Sequence, residues 1–250
     1  VNMNSEISRA MFQSFDEAPV GARIGDVNGA YFWTGTGSPW GVKIESFNRH
    51  IPESVHSFLG DEMQFIVSLR NPAERAVSAY LHHIVHGAVT PSQKLLDINE
   101  PLGIVDMGFF GAHLRNWLKV YPASRFLVLR DLPSDRISAS ALMSGTLEFL
   151  GLDAFDDDDP YEKPVYQGTP RLIRPDGAWV PAEHPSIAPH LPLTREVRSM
   201  EQDGISYLCL VDEAEMARLG RIYEQDQALL DRLLCAGGVT VLNPGAGAVS

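Results

Sequence analysis

Between residues 63 and 85 the hydrophobic pattern changes period within a single turn. Met63–Leu69 carries Phe65, Ile66, Val67 and Leu69, the β-branched and aromatic weight of a buried strand. Past Arg70-Asn71-Pro72 the apolar residues Ala76, Val77, Tyr80, Leu81, Ile84 and Val85 recur at helical spacing. Asn71 suits the N-cap, Pro72 the first helical position, and Glu74 the third, from which it can reach back to the cap. The same reading predicts helices over Pro52–Phe58, within Gly108–Pro122, over Ser134–Leu150 with a stop at Gly151, and over Asp212–Leu234. A strand is expected at Arg125–Leu129 and short strands at Ala30–Trp33 and Gly41–Ile44, separated by a turn-rich Thr34–Pro39. Ala10–Phe15 has weak helical character, Thr90–Gly103 reads as a surface segment, and Tyr161–Leu193 as a loop-rich cover. Strands alternating with helices predict an α/β fold with a mainly parallel sheet. No repeat or linker divides the chain, so one domain over 1–250 is expected, with 237–250 a frayed tail.

Charge sharpens the picture. The 250 residues carry a formal net charge of −12, which argues against broad binding to nucleic acid or anionic membranes. Against that background, Lys43, Arg70 and Arg75 stand out as sites for an anion. The run Asp156–Asp159 reads as a solvated acidic loop, because metal-binding loops space their ligands. His82, His83 and His86 lack a Glu or Cys partner at metal-binding spacing, so no metal is expected. Cys209 and Cys235 form no disulfide framework, which fits a reducing, cytoplasmic setting. No apolar run approaches the ~20 residues that span a bilayer, and no leader is recognisable. A start at Val1 rather than Met is expected of a fragment, a processed product or an alternative start codon.

The strand–turn–helix places Arg70 at a strand's carboxyl end, where open α/β sheets bind ligands, and Ser78 about two turns into the helix. An Arg and a hydroxyl so held can clamp one phosphate; equally, Arg70 can cap a carbonyl and Ser78 be a small helix residue. The run R-N-P-x-x-R-x-x-S-x-Y, Arg70–Tyr80, resembles the 3′-phosphate-binding segment of sulfotransferases that use 3′-phosphoadenosine-5′-phosphosulfate (PAPS). A second stretch resembles the same family, through Gly108, Leu114, Trp117, Leu118, Asp131, Leu132 and Phe149–Leu152. The resemblance covers Trp40–Leu152 and, loosely, Asp212–Leu234. It implies a three-layer α/β/α, P-loop-like fold and sulfuryl transfer to a hydroxyl or amine of a carbohydrate, lipid or small metabolite. It also implies PAPS as co-substrate, with Arg70 and Ser78 on the nucleotide's 3′-phosphate.

The same resemblance places Lys43 beside the sulfuryl group, in either of the family's two motif registers over Trp40–Pro52. Glu45 falls where a histidine base stands in one register; Val42 replaces the glutamate base of the other. His50, His82, His83 and His86 are further base candidates. Arg171 and Arg174 match the family's late-loop basic residues, which help hold the nucleotide. One departure is plain: nothing before Trp40 reads as the family's phosphosulfate-cradling loop, and Thr34–Ser38 lacks a basic residue and a following helix. A truncated N-terminus is one expectation. The alternative is a non-catalytic nucleotide-binding or interaction domain of the same fold. A nucleotide kinase needs G-x-x-x-x-G-K-(S/T), which is absent.

Overall fold

The computed structural model of the chain describes residues 22–27, 29, 31–34, 50–98, 102–130, 136–153 and 172–243, with backbone alone at 136–139. The chain divides into two compact units, Val1–Tyr31 and Phe32–Ser250. In the first, the Tyr31 hydroxyl donates to Asp26 at 2.6 Å.

Within Phe32–Ser250 the sequence of elements is helix α1 (Ile51–Leu59), strand β1 (Phe65–Leu69), helix α2 (Pro72–Val85), helix α3 (Phe110–Trp117), strand β2 (Phe126–Arg130) and helix α4 (Arg136–Leu150). Strands β3 (Leu172–Arg174), β4 (Gly177–Pro181), β5 (Arg198–Gln202) and β6 (Ile205–Asp212) follow, then helix α5 (Glu213–Cys235) and strand β7 (Thr240–Leu242). The order β1-β2-β7 forms a parallel sheet, with Val67 opposite Val128 and Val128 opposite Val241. This is the α/β architecture that the alternation of elements predicts. β7 corrects the reading of 237–250 as frayed, since Thr240–Leu242 completes the sheet against Leu127–Leu129. Residues 244–250, the expected helix around Ala10–Phe15, the strand Gly41–Ile44 and Asp156–Asp159 lie outside the described residues. At the expected strand Ala30–Trp33, Phe32 sits in a turn instead.

A second, antiparallel sheet in the order β3-β4-β6-β5 corrects the reading of Tyr161–Leu193 as loop-rich cover at Leu172–Arg174 and Gly177–Pro181, while 161–171 lie outside the described residues. Its hairpins turn on Pro175-Asp176 before Gly177 and on Asp203-Gly204, whose φ angles of 54° and 75° suit a two-residue hairpin turn. Thr90–Gly103 is also more than a surface segment. Its Leu95 and Ile98 are buried, with Val89 just before it, among Ala76, Val77, Tyr80, Leu81 and Ile84 of α2 and Ala178, Val180, Leu208 and Leu210 of this sheet. A separate cluster joins Val67, Leu69, Phe126 and Val128 to Phe110, Leu114 and Trp117 of α3 and Leu230 of α5.

Helix α5 reaches both clusters through Leu219 and Tyr223 on one side and Leu230 on the other. Its approach is close. A Cβ on Gly108 would lie 2.7 Å from the Tyr223 ring, and one on Gly111 would lie 2.5 Å from the Asp226 carbonyl oxygen. The absence of those carbons lets the Asp226 carboxylate accept from the N–H groups of Gly111 and Ala112, both at 2.8 Å. These are orphan donors of α3's first turn, satisfied from another helix. Burial raises the Asp226 pKa while the two N–H bonds oppose that shift.

α3 also carries a buried polar cluster. His113 Nδ1 accepts from the Thr34 N–H at 3.1 Å, so the ring proton sits on Nε2, which donates to the Asp106 carbonyl at 3.0 Å. Asn116 donates to the Thr34 hydroxyl at 3.0 Å, and the Trp33 indole donates to the Asp106 carboxylate at 2.6 Å. Desolvation holds the His113 pKa down at about 4.

Two expectations follow. Asp226→Ala strands two buried N–H groups and costs about 2–4 kcal/mol, read as a lower urea midpoint at unchanged m; a loss under about 0.5 kcal/mol contradicts the cap. For His113 the unfolded chain, with a pKa near ~6.5, binds more protons than the folded one. The stability it contributes is therefore present above ~6.5, starts to fall below that, and is gone once pH drops under about 4. Urea titrations of the wild type and His113→Gln should diverge more at neutral pH than below the folded pKa, by about 3 kcal/mol. A gap independent of pH contradicts the neutral buried ring.

Candidate functional site

The strand β1 delivers Arg70 to the turn before α2, and the helix begins as its sequence dictates. Asn71 is the N-cap, its side chain accepting from the N–H groups of Ala73 at 2.9 Å and Glu74 at 3.2 Å, with Pro72 in the first turn. Arg70 is exposed, and its guanidinium donates to the Glu74 carbonyl at 3.5 Å, a long and weak bond. Ser78 is half-buried on the same helix, roughly 9 Å further along the axis by helical rise. The unit thus presents a guanidinium beside a capped helix N-terminus, with a hydroxyl about two turns on. A fixed helix start and a fork-shaped cation are chemically suited to an anionic oxygen group.

Arg75, between them, does something else. Its guanidinium donates to the Gly103 carbonyl at 2.8 Å and also to the Ile104 carbonyl. Burial lowers its pKa, with Tyr223 and Asp106 opposing that shift. The sequence reading grouped Arg75 with Arg70 as an anion site; the structure instead uses it to tie the 103–104 backbone to α2. Nothing in local spacing announces that bond, because its acceptors are backbone carbonyls 28 and 29 positions away.

The remaining candidates separate. Lys43, Glu45 and Arg171 lie outside the described residues. Arg174 donates to Gln202 at 2.6 Å, so β3 and β5 engage it within the antiparallel sheet. His50 is exposed just ahead of α1 and makes no side-chain cap bond there. His82, His83 and His86 gather at the far end of α2. The His82 and His86 rings are 4.0 Å apart and those of His82 and His83 are 5.6 Å apart. His86 Nδ1 donates to the His82 carbonyl at 2.8 Å. Burial holds the His83 pKa below its usual value, against a backbone hydrogen bond to Leu102. Among the described residues, no group of three or more His, Cys, Asp or Glu side chains could hold a metal ion. No helix among them is long and apolar enough to cross a membrane.

No protein-family model matches the chain. It is similar to heparan sulfate glucosamine 3-O-sulfotransferase 6 of Mus musculus, 30% identical over 142 residues. That match covers 53% of this chain and 40% of the mouse protein. The Homo sapiens protein of the same name is 29% identical over the same length and share. A third relative, the bifunctional heparan sulfate N-deacetylase/N-sulfotransferase 2 of Homo sapiens, is 30% identical over 105 residues, 37% of this chain and 12% of that protein. The chain therefore spans well under half the length of the curated relatives it matches. Over about half of its own length, this α/β chain is a distant relative of the sulfotransferases, as the Arg70–Tyr80 signature implied.

Proposed function

We propose that the chain is a PAPS-dependent sulfotransferase domain acting on a glycan hydroxyl or amine. The observation that carries the reading is the capped turn at Asn71, which leaves Arg70 exposed at the carboxyl end of β1 and Ser78 on the following helix. Similarity to three sulfotransferases, each named for heparan sulfate, supports the class of reaction and the glycan acceptor. In this reading, Arg70 and Ser78 donate to the 3′-phosphate of the nucleotide. PAPS supplies the sulfuryl group and departs as adenosine 3′,5′-bisphosphate. The transfer breaks the sulfur–oxygen bond to the 5′-phosphate and forms a sulfur–oxygen or sulfur–nitrogen bond to the acceptor, which gives up its proton. Lys43 is assigned to the charge growing on the bridging oxygen, and Glu45 to the acceptor proton. Positioning and electrostatics supply most of the rate, by analogy with phosphoryl transfer. Two free cysteines, Cys209 buried and Cys235 exposed, fit a cytoplasmic setting in this proposal.

Isothermal titration separates the roles of the two arginines. The chain should bind adenosine 3′,5′-bisphosphate more tightly than 5′-AMP by about tenfold or more, worth ~1.4–3 kcal/mol for a charge-assisted contact. Arg70→Ala should erase that preference with little change in the urea midpoint; a preserved preference removes Arg70 from the site. Arg75→Met should do the reverse. It removes the guanidinium from the Gly103 and Ile104 carbonyls, of which Gly103 keeps the Met107 N–H at 3.3 Å, lowering stability by about 1–3 kcal/mol while the preference stays. Loss of preference in Arg75→Met, with the midpoint unmoved, would contradict its assignment as a fastener.

A further inference from the structure

The relatives are named for heparan sulfate, a polyanionic acceptor, yet the charge of this chain runs the other way. We propose that the acceptor of this chain is an uncharged or weakly charged glycan, and that polyanionic glycans are repelled from it. The inference rests on the sulfotransferase reading above and narrows its substrate class.

The first observation is global. The formal charge is −12 with histidines neutral and the sequence pI is about 5.0. The chain has eight histidines, fewer than the deficit, so protonating every one still leaves it negative. A protein that grips a sulfated or carboxylated polymer needs a cationic surface to meet it. Here the field works against approach, most strongly at low ionic strength, where it extends over ~30 Å at about 0.01 M salt.

The second observation is local and concerns what the cations already do. Arg125 pairs with Glu62 at 2.7 Å and Arg130 with Asp231 at 2.8 Å. Arg195 donates to the Tyr80 hydroxyl at 3.1 Å and the Leu210 carbonyl at 2.9 Å. Arg198 lies over the Trp179 ring at 5.3 Å and donates to the Asp176 carbonyl at 2.6 Å. Arg75 donates through Nη2 to the 103–104 backbone. These five guanidiniums are engaged by acceptors of the chain itself, and turning them toward a glycan would break those bonds, while exposed Arg115, Arg218, Arg221 and Arg232 lie on α3 and α5, away from the β1–α2 unit in sequence.

The third observation sits at the site itself. The unit from β1 through α2 carries two Arg or Lys side chains, Arg70 and Arg75. With Arg75 engaged, Arg70 is the exposed one, and the nucleotide's own 3′-phosphate claims it. In the segment that follows, exposed Lys94 is matched three residues later by exposed Asp97. No surplus of positive charge is left on these elements for a second polyanion.

The test uses the full chain saturated with adenosine 3′,5′-bisphosphate and two hexasaccharides of one backbone. One is a carboxylated, unsulfated heparosan fragment and the other its carboxyl-reduced, neutral form. Isothermal titration at about 10 mM and about 150 mM salt should show the neutral form binding about tenfold tighter at low salt, with the gap narrowing as salt rises. Tighter binding of the charged form at low salt, weakening as salt is added, overturns the proposal. So does a chain that binds the bisphosphate but not the neutral hexasaccharide. Failure to bind the bisphosphate at all is a different result: it removes the sulfotransferase reading, and this proposal falls with it.

Discussion

The Asp226 carboxylate, seated against the first turn of α3, is the contact on which the two halves of the described fold turn. It requires α5 to approach the 108–112 backbone more closely than a side chain at Gly108 or Gly111 would permit. Once there, α5 contributes Leu219 and Tyr223 to the cluster under α2 and the antiparallel sheet, and Leu230 to the cluster under the parallel sheet. Tyr223 adds a hydrogen bond to the Val105 carbonyl at 2.7 Å, so the backbone ahead of α3 is held as well. The 103–106 segment is then fixed from two sides, by Tyr223 and by Arg75 of α2. The helix that follows Arg70 and carries Ser78 is thereby tied to the interior. A phosphate clamp gains from that rigidity, because donors held in place do not have to be ordered when the anion arrives.

Local signals made the signature unit legible. Asn71-Pro72 announced a helix start, and the structure has Asn71 as the cap. Ala76, Val77, Tyr80, Leu81, Ile84 and Val85 announced the buried face; the first five are buried and Val85 is half-buried. The long helix after Asp212 was equally plain, with Asp212 accepting from the Glu215 N–H at 2.8 Å as its cap. The antiparallel sheet was missed although its turn chemistry was written in the sequence. Pro175-Asp176-Gly177 and Asp203-Gly204 are hairpin signals, and the near-continuous apolar run Tyr207–Val211 obscured the alternation of a two-faced strand. In the structure Leu208 and Leu210 face one cluster, and Tyr207 and Cys209 join Trp179 in another.

The site divides in the same way. The placement of Arg70 and Ser78 was legible because it follows from a turn and a helix that the local sequence specifies. Arg75 was misread because its partners are carbonyls far along the chain, and no residue type marks a carbonyl acceptor. His113 drew no notice for a similar reason: its partners, Thr34 and the Asp106 carbonyl, converge only through the fold. It turns out to be a neutral, satisfied core histidine, which suits a fastening role rather than proton transfer.

The most direct test of the account is a crystal structure of the chain with adenosine 3′,5′-bisphosphate. The 3′-phosphate should lie within about 3 Å of both the Arg70 guanidinium and the Ser78 hydroxyl, with Arg75 still bonded to the 103–104 carbonyls. A nucleotide bound elsewhere, or a 3′-phosphate held without Arg70 and Ser78, would contradict it.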